Sequence, residues 1–366
     1  MQRKSQSFSI RQAAVKTSVF ALSMVACAAS MAAENGLQRY SPGVGGSDMT
    51  SPVVPGWYWQ TAAIYYKADK SKGNDGKEST ASGFRLTADA STIALLNRLT
   101  YVGTDRFLGA NVGFTVMQPI GQRKADFAAF TPSPTSNARI ASDSGQVTGI
   151  GDLEFGPLFH WEIGDNQSAN FVPTIILPTG DYNALDSTPN PAFPSAHAQR
   201  LNMGYGNFYT FRPSAQYAYI GDGWDVGARG VLSFNTRNKD NGYYSGNMLN
   251  VDWQAMKFVT EDVRVGLQGY FVRQLNRDTC KGGIGEALAQ CYNPALGAFG
   301  AATQVNRATQ LAVATGNRTS VNAVGPAVAW LKNGGEFLLE GKYIKEFNAK
   351  NRLEGDAFWL TLSKPL

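Results

Sequence analysis

The sequence is short of cysteine, histidine and charge. Three cysteines in 366 residues exclude a disulfide-stapled scaffold. Two histidines, His160 and His197, leave little material for acid–base or metal chemistry. Charged residues are only 17%, against 43% hydrophobic and 11% aromatic, which excludes a disordered chain. Thirty-nine glycines, with frequent Asn and Thr, exclude a coiled coil or helical bundle. Beyond residue 33 no run of 18 apolar residues occurs, so no membrane helix is expected there.

Residues 1–33 read as a cleaved secretory signal peptide. Arg3, Lys4, Arg11 and Lys16 form a basic start, and 15–33 is a short Ala-rich apolar stretch. Small residues at Ser30, Ala32 and Ala33 mark a cleavage point. A retained anchor and a lipoprotein site at Cys27 are the alternatives. The leader carries four of the 33 Lys and Arg, leaving 29 against 28 acids, a net charge of +1. The basic excess of the whole chain therefore points to no nucleic-acid partner. Cys280 and Cys291 are the two cysteines left. In an oxidising compartment they are expected to form a disulfide, with two free thiols as the alternative.

What is present is period-two alternation, the spacing of β-strands. Over 153–163 the apolar face reads Leu153, Phe155, Phe159, Trp161, Ile163 and the other Glu154, His160, Glu162. Over 224–234, Trp224, Val226, Ala228, Leu232 and Phe234 oppose Asp225, Arg229 and Ser233. Over 336–347, Phe337, Leu339, Tyr343 and Phe347 oppose Glu336, Glu340, Lys342 and Glu346. A soluble sandwich would bury the apolar face, whereas a membrane barrel turns it to lipid. Aromatics near strand ends, such as Trp57, Tyr101, Trp161, Trp224 and Trp330, fit a girdle at the headgroups.

Connections favour the barrel. Twelve strands are predicted, at 57–68, 84–102, 107–120, 148–163, 168–182, 207–220, 224–238, 247–259, 263–278, 320–332, 335–348 and 354–366. Tight turns at 103–106, 164–166, 221–223, 261–262 and 333–334 alternate with polar loops at 121–147, 183–206, 239–246 and 279–319. Short turns on one side and long loops on the other mark an all-β, transmembrane antiparallel barrel of about 12 strands. Both termini and the short turns are then expected in the periplasm of a Gram-negative bacterium. The domain plan is a signal at 1–33, a Pro/Gly-rich segment at 34–56 and the barrel at 57–366. The segment 34–56 is expected either to fold into the lumen as a plug or to hang as a loose tail. Pro157, Pro173, Pro213 and Pro326 lie inside strands, where each removes a ladder donor and suggests a kink.

Several stretches resemble a known family. They are PGVGGSDMTSPVVPGWYW (42–59), GIGDLEFGP (149–157), LPTGDY (177–182), LNMGYGNFYTFRP (201–213), GWDVGARG (223–230), FNTRNKDNGYYSGNMLNVDW (234–253), GLQGYFVRQL (266–275), VGPAVAW (324–330) and EGDAFWLTL (354–362). Together they look like the outer-membrane family associated with the meta-pathway of phenol degradation. The resemblance covers nearly all of the chain after the leader. It implies a twelve-stranded channel for small, often aromatic or hydrophobic molecules.

Catalysis has thin support. His197 has Ser195 nearby but no third orienting group, and His160 falls on the polar face. The stretch 281–285 looks like a phosphate loop but lacks the strand-to-helix context. No metal or cofactor is expected. The expected luminal face comprises Arg98, Asp152, Glu154, His160, Glu162, Arg212, Gln216, Asp225, Arg229, Asp252, Gln254, Arg264, Gln268, Glu336, Glu340, Lys342 and Glu346. Charges of both signs there either tune solute passage or pair across the lumen as structural ties. The expected partners are a small-molecule solute and outer-membrane lipid, with a monomer favoured. An adhesive surface barrel using loop 279–319 is the alternative function.

Overall fold

A computed structural model describes residues 38–51, 53–78, 80–81, 84–130, 139–182, 187–190, 193–199, 202–239, 243–280, 318–333 and 335–366. The expected leader, most of loop 279–319 with Cys291, and the side chains of Cys280, Ser195 and His197 lie outside them.

Twelve antiparallel strands close on themselves. They are β1 Gly56–Lys72, β2 Phe84–Phe107, β3 Ala110–Phe130, β4 in two pieces (Arg139–Ile150 and Leu153–Gly164) and β5 Gln167–Leu177. They continue as β6 Thr210–Gly221, β7 Trp224–Asn235, β8 Met248–Phe258, β9 Val263–Gln274, β10 Ser320–Lys332, β11 Phe337–Lys350 and β12 Arg352–Pro365. Each strand pairs with its sequence neighbours, and β12 pairs back on β1. Closure pairs both edges of the ring of strands, which is what a strand wall in hydrocarbon requires, while the extension Arg139–Ile150 pairs with β3 alone.

The wall is greasy outside. Phe155, Tyr217 and Leu339 are 40%, 48% and 37% exposed, as are many other large apolar side chains at alternate positions. Burying such a side chain in hydrocarbon is worth about 2 kcal/mol, so the lipid-facing belt is the main driving force for insertion. Rings gather at the short-turn end. Trp57, Tyr101 and Phe114 touch one another, Phe159 meets Phe107, Trp161 and Phe171, and Trp330 meets Phe337, while Phe211 stacks on Phe234 toward the long-loop end.

The expected strands hold with two corrections of extent. The turn expected at 103–106 lies at Leu108-Gly109, and the ladder merely shifts register between Val102 and Arg106. Leu108 and Gly109 have φ of 48° and 81°, the double positive φ of a tight hairpin turn. Leucine gives no warning of that conformation, unlike Asp222-Gly223, which forms the same kind of turn with φ of 54° and 76°. The loop expected at 121–147 is largely strand, because β3 runs on to Phe130 and pairs with 139–150.

Prolines interrupt the wall locally. Hydrogen-bonded partners skip 156–158 between β4 and β5, and skip Arg212 and Pro213 between β6 and β7. Pro173 and Pro213 face each other across β5 and β6. Side chains stand in: the Ser214 hydroxyl donates to the Val172 carbonyl at 3.2 Å.

Residues 38–51 run through the inside of the barrel. Arg39 donates to the carbonyls of Gly206 and Phe208 at the long-loop end. Thr50 meets Gln254, which bonds Asp225 one residue into β7 at the short-turn end. Both termini were expected at the short-turn end. The C-terminus is there, with Leu366 N donating to Trp57 O; residue 38 lies near the long-loop end, and the N-terminus lies outside the described residues. Glycines permit the close passage. Gly43 has φ of 83°, a Cβ on Gly45 would sit 2.8 Å from Asp252 Oδ2, and one on Gly46 would strike the Glu340 carboxylate.

Candidate channel lumen

Inward positions alternate with the lipid-facing ones, and the bore holds polar groups beside apolar ones such as Val102, Val231, Ile344 and Trp359. Asp252 on β8 is the chief anchor of the internal segment. It accepts from the Tyr40 hydroxyl at 2.5 Å, Gly43 N at 3.0 Å and Gly45 N at 2.9 Å. Glu340 on β11 accepts from Ser47 N at 2.7 Å, and Lys342 donates to the Gly45 carbonyl at 2.9 Å. Gln216 on β6 donates to the Met49 carbonyl at 2.7 Å. On the other flank Arg39 pairs with Asp152 at 3.0 Å, and Asp48 with Arg229 at 3.0 Å. Contacts on β4, β6, β7, β8 and β11 thus grip one short segment from around the circumference.

Below and beside that segment the strand residues pair among themselves. Arg264 and Asp225 are fully buried at 2.5 Å. Lys342 lies 3.2 Å from Glu340, and Gln268 bridges to Glu340 at 2.7 Å and to Gln254 at 3.2 Å. Glu346 collects the hydroxyls of Tyr66 (2.8 Å) and Tyr270 (2.7 Å) and the Arg352 guanidinium (2.9 Å). Arg212 pairs closely with Glu154. Each of these charges is matched at short range, which is what lets it stay buried.

Two expected residues sit elsewhere. Glu336 lies in the turn before β11, half exposed, held by Lys332 at 3.2 Å and Asn333 at 2.8 Å. Those two donors hold its carboxyl below the usual range. Glu162 ends β4 with a 63% exposed side chain, 3.2 Å from the buried His160, whose other nitrogen is 2.6 Å from Asn170. His160 thus has local partners on its own wall. Among the described residues no group of His, Cys, Asp and Glu could hold a metal ion.

Sequence reasoning missed the partners supplied by the internal segment: Arg39, Tyr40 and Asp48. Asp48 matters most, because it lies between Arg229 and Arg98. Its carboxylate also accepts from Gly46 N at 2.8 Å, so three donors converge on it.

The segment fills the bore unevenly. A cavity of about 170 Å³ remains beside it, lined by β1 to β7 and floored by Leu331, Leu338 and Ser363 to Pro365. Its walls mix Val102, Met117, Leu158, Val172 and Val231 with Arg98, Thr100, Thr115, Asn170 and Ser214. The proline-interrupted stretch of β4, β5 and β6 forms one of those walls.

An outer membrane channel from Pseudomonas putida F1 matches with a TM-score of 0.60 at 13% identity, over 88% of this chain and all of that one. The translocator domain of the autotransporter NalP from Neisseria meningitidis gives a TM-score of 0.44 at 8% identity, over 87% and 92%. The β domain of the Bordetella autotransporter BrkA gives 0.42 at 10%, over 86% and 100%. No curated protein matches the chain. The first of these likenesses supports the closed-barrel fold and no more. A family model matches residues 68–293 and 283–362, and by that extent the chain belongs to the family described as "Putative MetA-pathway of phenol degradation".

Proposed function

We propose that the protein is a passive outer-membrane channel, acting as a monomer, for small aromatic or hydrophobic molecules used in aromatic degradation. The observation that carries this reading is the cavity beside residues 38–51, inside a closed wall whose outer face is apolar. Such a wall suits lipid, and a cavity of mixed character suits a small, mostly apolar solute. Residues 38–51 serve as a constriction that sets the size limit. Family membership and the similarity to a channel from Pseudomonas putida support the reading. The protein is exported by its cleaved leader and carries no catalytic site.

The test is influx into liposomes of purified protein, comparing small aromatic solutes with sugars of similar size. Influx above empty vesicles for the aromatic solutes is expected, and none above empty vesicles would end the proposal. The proline interruption between β4 and β5 favours a sideways exit into lipid. Pro157→Ala or Pro213→Ala, each restoring a ladder donor, should then slow apolar solutes more than polar ones, and equal slowing would reject that exit.

A further inference from the structure

The charges around the cavity do not balance. Its wall holds Arg98, Arg212 and Arg229 against Asp48 and Glu154, with a fourth cation, Lys364, on the exposed floor. Glu154 is taken by Arg212, and Asp48 is held by Arg229 at 3.0 Å. Arg98 is left over. Its nearest carboxylate is the same Asp48, at 3.8 Å, and its one short hydrogen bond is to Gln60 Oε1 at 3.1 Å. The other contact of its guanidinium is the Met117 sulfur at 3.8 Å, a weak acceptor. A guanidinium carries five donors in a planar fork. Among the described residues most of those on Arg98 are unclaimed, in a half-buried setting where an unmatched cation is costly.

We infer that Arg98 is a binding residue for a one-ring aromatic monoanion, with the anionic group on its guanidinium and the ring against the apolar wall of the cavity. Two features set the class. Within the wall one guanidinium, that of Arg98, lacks a close carboxylate of its own, which provides for a single anionic group. The volume of about 170 Å³ suits a single substituted ring, since an apolar cavity of roughly 150 Å³ accommodates benzene. Met117 and Val172 supply the apolar side, and Thr115 and Ser214 tolerate a polar substituent. The inference rests on the channel reading for its biological meaning, but not for its binding chemistry.

Two measurements separate them. Benzenesulfonate, which stays charged, and neutral benzenesulfonamide are matched in shape. Binding to the detergent-solubilised full-length protein, measured by calorimetry, should favour the anion in the wild type. Arg98→Gln should weaken benzenesulfonate about tenfold, the scale of a lost charge-assisted bond, and leave the sulfonamide unchanged. Arg98→Lys should keep the preference, and an unaltered heat-dependent gel mobility shows that each variant is folded. Equal binding of both probes in the wild type, or an anion preference that survives Arg98→Gln, overturns the inference. Liposome influx of the same pair then reports on transport. Binding with the expected preference but without influx leaves the site standing and removes the channel, whereas influx without preference removes the site and leaves the channel.

Discussion

The two sides of the bore are built from the same kinds of residue to opposite effect. On the side of β8, β9 and β11, Asp252, Gln254, Arg264, Gln268, Glu340 and Lys342 interlock with one another and with residues 43–50, and almost nothing is left open. On the side of β2 to β6, the same segment touches the wall through fewer groups, and the cavity lies there. Charge alone therefore does not make a passage. What distinguishes the sides is whether each charge has a partner; prolines thin the ladder on both, Pro157 and Pro213 beside the cavity and Pro326 between β10 and β11.

The largest expected effect tests the sealed side. Arg264→Ala leaves Asp225 as an uncompensated buried charge and should cost about 3–5 kcal/mol in denaturant unfolding, whereas Arg264→Met with Asp225→Leu should be close to neutral. If the single and double variants unfold alike, the pair is not what holds that side shut. A smaller effect is expected at the anchor. Asp252→Asn keeps one acceptor oxygen for Tyr40 and Gly45 but leaves Gly43 N unpaired, at about 1–3 kcal/mol, and should raise single-channel conductance by loosening the segment. Unchanged conductance would mean that Asp252 does not hold the segment in place.

The smallest effect is expected at Asp48, which lies between Arg229 at 3.0 Å and Arg98 at 3.8 Å. Asp48→Asn removes the charge that ties the segment to both, and should raise conductance less than the Asp252 variant does. Conductance equal to that of the wild type would mean that these two contacts do not hold the segment.

Much of the wall was legible because lipid imposes a strict period of two. Phe155, Tyr217 and Leu339 could only face one way once Glu154, Gln216 and Glu340 faced the other. The Leu108-Gly109 turn was not legible, because nothing in leucine favours a positive φ and the competing signal at 103–106 contains the usual turn residues. Glu336 fits the alternation of β11 by parity, yet the turn at Asn333 to Gly335 stops the strand one residue short of it. Least legible were the pairings inside the bore. Tyr40 meets Asp252 across 212 positions and Ser47 meets Glu340 across 293, and no local pattern specifies such a meeting. The glycines at 43, 45 and 46 were the available clue, since a close approach to something had to explain them.

The route of residues 38–51 changes how the molecule is counted. Twelve strands return a chain to the side where it began, but this one first passes along the inside of the barrel, among buried side chains, before the first strand starts. The described polypeptide consequently begins near one rim of the barrel and finishes at the other, so residues 38–51 tie the two rims together from within.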